Sequence, residues 1–212
     1  MKKIAVLISG QGSNLQAIID ACETGFIPAK IACVVSNKAE AFGLERAKSA
    51  VIPTQVFLRQ DFANNAEMDN AIGDYLQSME VDLIVLAGYM KILTAAFTQR
   101  FCSKILNIHP SLLPKYAGLN TYRRALEAGD TEHGTTVHFV NEEVDGGAII
   151  LQAKVPIFPD DNVEEIELRT REQEYRIYPM VIKWFAEDRL CLKDGIAYLD
   201  GKPLPKQGYA SE

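Results

Sequence analysis

The sequence predicts an α/β protein: a mostly parallel, open twisted sheet with helices on both faces, antiparallel strands toward the C-terminal part, and one domain over residues 1–212. Three observations lead there. Short β-branched runs alternate with amphipathic stretches from residue 4 to about residue 140, the pattern of strands joined by crossover helices. The runs "IAVLI" and "VDLIVLA" are almost continuously apolar, as central strands covered on both faces must be. Further on, "GTTVHFV" and "GAIILQAKVPIF" are separated only by "NEEVDG", which is room for an antiparallel hairpin and not for a helical crossover.

Taken in order, strands are predicted at "IAVLIS", "KIACVVS", "TQVFL", "VDLIVLA" and "ILNIH". Helices fill the intervals at "SNLQAIIDACE", "AFGLERAKSA", "AEMDNAIGDYLQSM" and "TAAFTQRFC", and a further one at "YRRALEAG" precedes the hairpin. A long helix follows at "NVEEIELRTREQEYRIYPMVIKWFAED". Asp161, with Glu164 three residues on, is expected to supply its N-cap and capping box, and Pro179 is expected to kink or split it. The end, "LCLKDGIAYLDGKPLPKQGY", reads as a small hairpin on an Asp-Gly turn followed by a Pro-rich tail.

Composition narrows the function classes. Hydrophobic residues at 48% and charged residues at 24% suit a globular core. No apolar run approaches the roughly 18 residues that cross a bilayer. The opening "MKKIAVLISGQGSN" places two lysines before an apolar run, but the run is short and meets a glycine turn, so it reads as a first strand rather than a signal peptide. Cys22, Cys33, Cys102 and Cys191 are scattered without a C-x-x-C pair, the usage of reduced thiols in the cytoplasm. A net charge of -6 argues against nucleic acid as the partner. Neither a membrane nor nucleic acid is therefore expected among its partners; the oligomeric state, monomer or homodimer, is not given by composition.

Three stretches carry groups suited to chemistry. In "VLISGQGSNLQAIID" a strand, a Gly-rich turn and a helix opening at Ser13 and Asn14 present unpaired backbone N–H groups to an anion such as phosphate. An ordinary strand-to-helix turn would look the same. A dinucleotide site would need glycine where Leu15 stands and an acid at the end of "ACVVSN", so a nicotinamide cofactor is not expected.

In "ILNIHPSLLPKYAGLN", Asn107 and His109 stand two apart at a strand end, and Pro110 biases His109 toward extended backbone. Both should therefore point the same way at the carboxyl end of the sheet, where open α/β sheets bind ligands. An amide and an imidazole there can hold an oxygen gaining negative charge, and the imidazole can carry a proton, as acyl or one-carbon transfer requires. A strand-end histidine bonded to a carbonyl is the plainer reading. Asp145 in "NEEVDGG" could reach the same crevice, or could simply make the turn with Gly146. His138 reads as strand core and His133 as loop, and neither joins a cluster with metal-ligand spacing, so no metal is expected. In "REQEYRIYP", Arg171, Gln173 and Glu174 read by themselves as a solvated helix face.

Taken together, "ISGQGSNLQAII", "SNKAEAFGLERA", "LAGYMKIL", "LNIHPSLLPKYAGL", "HGTTVHFV", "VDGGAIILQ" and the terminal "LPKQGYA" resemble the folate-dependent formyltransferase family, and within it the branch serving purine synthesis. The resemblance implies a Rossmann-like formyltransferase fold. It implies transfer of a formyl group from the co-substrate 10-formyltetrahydrofolate to the amine of glycinamide ribonucleotide, without metal. Carried over by position, it implies that Asn107 and His109 hold the oxyanion, that His109 protonates the departing folate nitrogen, and that Asp145 keeps His109 charged and helps remove the amine's proton. Gly12, Ser13 and Asn14 would cradle the substrate phosphate, and Glu174, with Arg171 and Gln173, would contact the ribonucleotide. Met90, Lys91, Ile92 and Leu93 would line the pterin slot with Val140, Asn141 and Val144.

Three positions depart from that pattern. Asn65 in "FANNAEMD" stands where relatives place an arginine for the folate tail carboxylate, which implies weaker tail binding. Asn120 stands where histidine is usual, and Lys91 where arginine is frequent. Two rivals share the fold. Methionyl-tRNA formyltransferase usually carries a further β-rich domain after the long helix, and formyltetrahydrofolate hydrolase usually carries an added amino-terminal domain. A non-catalytic binding module would not need Asn107, His109 and Asp145 together.

Overall fold

The computed structural model describes residues 1–209; Ala210, the last residue of "LPKQGYA", lies outside them. The elements in chain order are β1 (Lys2–Ile8), α1 (Ser13–Glu23), β2 (Ala29–Ser36), α2 (Gly43–Ser49), β3 (Thr54–Val56), a 3-10 turn (Arg59–Asp61), α3 (Asn65–Ser78), β4 (Leu83–Leu86), α4 (Ala95–Arg100) and β5 (Ile105–His109). Then come α5 (Thr121–Glu127), β6 (Glu132–Phe139), β7 (Ile149–Pro156), α6 (Val163–Ala186), β8 (Leu190–Lys193), β9 (Ile196–Leu199) and β10 (Lys202–Pro203). The predicted fold class is the observed one: a seven-stranded, mostly parallel sheet in the order β3-β2-β1-β4-β5-β6-β7, with a small three-stranded sheet β10-β9-β8. The chain divides into two compact units at residue 107.

In the first unit β1 is central, with β2 and β4 parallel on either side. Its residues Ile4 to Ile8 are 0–1% exposed, which is why that stretch can be apolar at every position. Leu15, Ile18 and Ile19 of α1 and Met68, Ile72 and Leu76 of α3 form the buried stripes of those two helices, at the spacing of an amphipathic helix. Asn64 caps α3, its side chain accepting from Glu67 N–H at 2.9 Å. The same helix buries a charge. Asp69 is 1% exposed, pairs with the Lys91 ammonium and accepts from Thr94 N–H at 2.8 Å, so a buried ion pair fastens the loop after β4 to α3.

In the second unit β6 and β7 form the predicted antiparallel hairpin, with a register shift at Val137/His138. The long helix α6 differs from expectation in two ways. Its cap is Asn162, whose side chain accepts from Glu165 N–H at 2.9 Å while Glu165 accepts from Asn162 N–H at 2.8 Å. Asp161 is engaged elsewhere, by Phe158 N–H at 2.7 Å and by Arg169 at 2.8 and 3.1 Å. Pro179 lies inside a helix that runs on to Ala186 and is not split. A mid-helix proline costs about 3 kcal/mol. Val181, Ile182 and Trp184 beyond it are 0, 0 and 7% exposed, and burying each such side chain returns about 1.5–3 kcal/mol, so packing outweighs the break. At the end, β8 and β9 flank the expected Asp-Gly turn, Asp194 and Gly195 both having positive φ (51° and 75°), and β10 adds a strand the sequence did not suggest.

Candidate active site

In the first unit the Gly-rich turn is built as expected, with Gly12 at φ 71° forming the cap position of α1. A β-carbon on Gly12 would lie 2.7 Å from the Gly43 α-carbon, so both the torsion and the close approach to α2 demand glycine. Gly43 N–H donates to the Gly10 carbonyl at 3.0 Å and the Arg46 guanidinium donates to the Gln11 carbonyl at 2.8 Å, which fixes the turn ahead of Ser13 and Asn14. In the loop after β4, Met90 and Ile92 are 69 and 70% exposed, while Leu93 is buried. The main chain there is held as well as the side chain of Lys91, because Met90 N–H donates to the Ser9 hydroxyl at 2.7 Å. Asn65 accepts from the Arg59 Nε–H at 2.9 Å, so a guanidinium stands beside the position where an arginine was missed. Asn107 pairs with Leu86 of β4 at the end of its ladder.

In the second unit His109 is buried at 7% exposure. Alternation along β5 puts it on the same face as Asn107, two residues before it. Its Nε2 lies 2.9 Å from the Tyr116 carbonyl oxygen, which can only accept, so this nitrogen carries a hydrogen. Its Nδ1 faces the Asp145 Oδ2 at 3.6 Å. The imidazole thus sits between two oxygen acceptors. Asp145 occupies the left-handed region (φ 54°) and its Oδ2 also accepts from Gly118 N–H at 2.9 Å.

The segment after His109 is held carbonyl by carbonyl. Thr135 donates to His109 O (3.0 Å), Thr121 and His133 to Pro110 O (2.6 and 2.7 Å), Thr136 to Ser111 O (2.7 Å) and Gln152 to Leu113 O (2.8 Å). The buried hydroxyls of Thr135 and Thr136 on β6 thus satisfy main-chain carbonyls at and just beyond the end of β5. A cavity of about 320 Å³ lies against this loop, lined by Leu112, Tyr116, Asp130, His133 and Gln152 among others.

Two histidines flank the pair. His138 is core, as predicted, and gives its Nδ1–H to its neighbour's carbonyl, Phe139 O, at 2.9 Å. His133 is not a loop residue: it lies in β6, 1% exposed, drawn in by the Pro110 carbonyl. Burial, the largest cause in each case, pushes both imidazoles below the ordinary histidine value. The folded pKa lies below the unfolded one, so on acidification the unfolded chain takes up protons that the folded protein refuses. Stability is therefore expected to fall as pH drops below about 6.5, by up to about 1.4 kcal/mol per pH unit for each histidine, and to be unaffected by them above it. Urea unfolding between pH 7.5 and 5.5 measures the slope, and His133→Gln should reduce it. An unchanged slope would assign the pH response to other groups.

Of the three residues proposed on α6, Arg171 is exposed and ion-paired with Glu167 one turn back, Gln173 is half-buried and Glu174 is buried at 5% exposure. Burial separates Glu174 from the solvated face that sequence suggested, since carboxylates are seldom buried without a task or a partner. It raises the phenol pKa values of Tyr122 and Tyr178, acting second to burial itself. Val144 and Asn141 are exposed on the β6–β7 turn, and Val140 is half-buried. Asn120 has a left-handed backbone (φ 58°) and forms the cap position of α5 without a side-chain bond to it. Among the described residues no group of three or more His, Cys, Asp or Glu is placed to hold a metal ion, and no helix is long and apolar enough to cross a membrane.

A family model described as formyl transferase matches residues 2–182. The chain belongs to the formyl transferase family. Within it, the chain is 80% identical over 212 residues to phosphoribosylglycinamide formyltransferase of Haemophilus influenzae, covering 100% of both chains. It is 53% identical to the enzyme of that name from Escherichia coli strain K12, covering 99% of each. The solved phosphoribosylglycinamide formyltransferase of Coxiella burnetii superimposes with a TM-score of 0.95 at 45% identity, covering 98% of each chain. In the second unit His109 and Asp145 bring together an imidazole and a carboxylate, groups of the kind that formyl transfer calls for.

Sequence reasoning did not single out several residues that hold the candidate groups. Tyr116 and Gly118 contact His109 and Asp145 through main-chain atoms, for which sequence carries no signal. Arg59 lies outside the quoted stretches and Asp69 ends one of them, "FANNAEMD", without being singled out there; both are found only through their partners Asn65 and Lys91.

Proposed function

We propose that this protein transfers the formyl group of 10-formyltetrahydrofolate to the amine of N1-(5-phosphoribosyl)glycinamide, in the purine synthesis of the cytoplasm. The products are formylglycinamide ribonucleotide and tetrahydrofolate. The observation that carries this reading is the His109 imidazole set between the Tyr116 carbonyl and the Asp145 carboxylate, in a chain whose relatives of the same length bear the phosphoribosylglycinamide formyltransferase name.

The amine lone pair attacks the formyl carbon, and the carbonyl electrons move onto oxygen. Asn107 and His109 stabilise that oxygen by hydrogen bonding. As the tetrahedral intermediate collapses, the bond from carbon to the folate nitrogen breaks, its electrons stay on nitrogen, and His109 supplies the proton that nitrogen needs. The proton lost by the attacking amine is taken by Asp145, directly or through water. One proton leaves the amine and one reaches the folate nitrogen, so the exchange balances without metal or redox partner.

The α1 turn at Gly12, Ser13 and Asn14 is assigned the substrate phosphate, with Arg171, Gln173 and Glu174 assigned the ribonucleotide. Met90, Ile92 and Leu93 are assigned the pterin, as are Val140, Asn141 and Val144. Lys91 contributes to that assignment through its main chain, because its ammonium is committed to Asp69. Arg59 takes over the tail carboxylate that Asn65 alone would leave unpaired. Arg59→Ala is accordingly expected to raise the KM for formyl folate by roughly five- to tenfold, a charged hydrogen bond's share at an exposed site, with kcat unchanged. An unaltered KM would leave the tail unrecognised by this residue. Either a monomer or a homodimer suffices for these roles.

The reaction is tested by following loss of 10-formyltetrahydrofolate by absorbance with and without glycinamide ribonucleotide. Loss that requires the amine is the expected result. Loss without it would make the protein a hydrolase of the same fold, and no loss in either case would overturn the substrate assignment.

A further inference from the structure

We infer that Tyr116 is a positioning residue for His109, and that the proton His109 delivers leaves from Nδ1. The inference rests on the formyl-transfer reading for the destination of that proton, and on the second unit alone for its geometry. Nε2 is spoken for: its hydrogen is given to the Tyr116 carbonyl at 2.9 Å. Nδ1 stands 3.6 Å from Asp145 Oδ2, beyond a hydrogen bond, so this edge of the ring can turn to a reacting atom without first giving up a bond of the native structure.

One short loop fixes both members of the pair. The Tyr116 carbonyl holds the ring and Gly118 N–H holds the carboxylate, the latter at 2.9 Å. Neither atom can be supplied by a side chain, so the loop's own anchors decide where the catalytic groups lie. Tyr116 has φ 54°, a conformation that non-glycine residues rarely take and that must be imposed by contacts. The contacts are present. The Tyr116 phenol donates to Asp130 Oδ2 at 2.6 Å, and the Lys115 ammonium approaches the same oxygen at 3.3 Å. The phenol hydrogen bond first, and then Lys115, hold the Asp130 carboxyl below the usual carboxylate range, so it remains an acceptor at neutral pH. Ser111 donates to Lys115 O at 2.6 Å, Arg124 donates to Ala117 O at 2.7 Å, and the Arg124 guanidinium lies 5.1 Å from the Tyr116 ring centre.

The test uses the full-length protein. Nitrogen-15 NMR of the histidine rings, recorded without substrate at alkaline pH, is expected to show a neutral His109 ring with its hydrogen on Nε2. A hydrogen on Nδ1 would overturn the inference. Tyr116→Phe removes only the phenol oxygen. It is expected to lower kcat by roughly tenfold, the factor that losing one ordinary hydrogen bond makes, with the KM of both substrates within about twofold and a His109 spectrum moved toward mixed tautomers. Asp130→Ala should do the same, and Asp130→Asn, whose amide oxygen still accepts from the phenol, should recover at least half of the loss. A Tyr116→Phe protein with wild-type kcat, or with lowered kcat and an unmoved His109 spectrum, would reduce Tyr116 to a structural role. Failure of the reaction itself appears in the wild-type assay and failure of the positioning in the ring spectrum, so the two are told apart.

Discussion

An alanine at position 109 is expected to lower kcat by roughly a thousandfold or more, equivalent to about 4 kcal/mol of transition-state stabilisation, with little change in either KM. Two contributions are lost at once. General acid assistance to a departing nitrogen is worth about 10² to 10⁴, and a donor to the developing oxyanion is worth about 10² to 10³. They are not additive, because one imidazole supplies both. Neither of the other two histidines is placed to substitute. His138 is 2% exposed with its Nδ1–H committed to Phe139 O, and the His133 Nε2–H is committed to Pro110 O. The change also strands the Tyr116 carbonyl, at a cost of about 1–3 kcal/mol to stability, so folding must be checked by circular dichroism beside the rate. His109→Asn, which retains a donor for the oxyanion but no transferable proton, should fall between alanine and wild type. A folded His109→Ala protein with less than a tenfold loss would place the proton transfer on another group.

What was legible in the sequence was whatever depends on neighbours in the chain. The apolar runs of β1 and β4 announce central strands because burial on both faces leaves no polar position. Asn107 and His109 could be put on one face because a two-residue period and a following proline are local facts. Errors arose where a distant residue chose between local options. "DDNVEE" holds two overlapping capping boxes; Asn162 makes the one that forms because Asp161 is claimed by Arg169, eight residues on. His133 looked like loop, yet it is placed by a carbonyl 23 residues earlier. Pro179 was expected to kink or split α6 and does not split it, because the cost of a proline is local while the apolar packing that outweighs it comes from the whole fold. The candidate site divides along the same line. The side chains proposed to bear the chemistry were chosen by type and spacing. The Tyr116 carbonyl and the Gly118 amide that bond to His109 and Asp145 are main-chain groups that almost every residue possesses, so only coordinates distinguish them.

Gly147→Ala is expected to be the most damaging single-methyl change near the site, and its neighbour Gly146→Ala a mild one. The difference is not torsional, since neither glycine lies in the left-handed region. It is one of space. A β-carbon on Gly147 would stand 1.7 Å from the Phe139 carbonyl oxygen and 2.7 Å from its carbon, both main chain. This is also where the hairpin closes, Phe139 N–H donating to Ala148 O at 2.9 Å, so the clash is relieved only by parting the strands. A loss of about 3 kcal/mol or more follows from overpacking together with broken ladder bonds. On Gly146 the same carbon meets the Glu143 side chain at 2.5 Å, and Glu143 is exposed and can swing away. The consequence reaches the chemistry because Asp145 rides on this turn with a strained backbone, two residues before Gly147. A displacement of about 1 Å there suffices for roughly a hundredfold in rate. Thermal unfolding and kcat measured on both variants separate the two effects: Gly147→Ala should lose stability and, in its folded fraction, activity, while Gly146→Ala keeps most of both. Equal behaviour of the two variants would mean that the turn yields without moving Asp145, and that the second glycine of "DGG" serves something other than room for the Phe139 carbonyl.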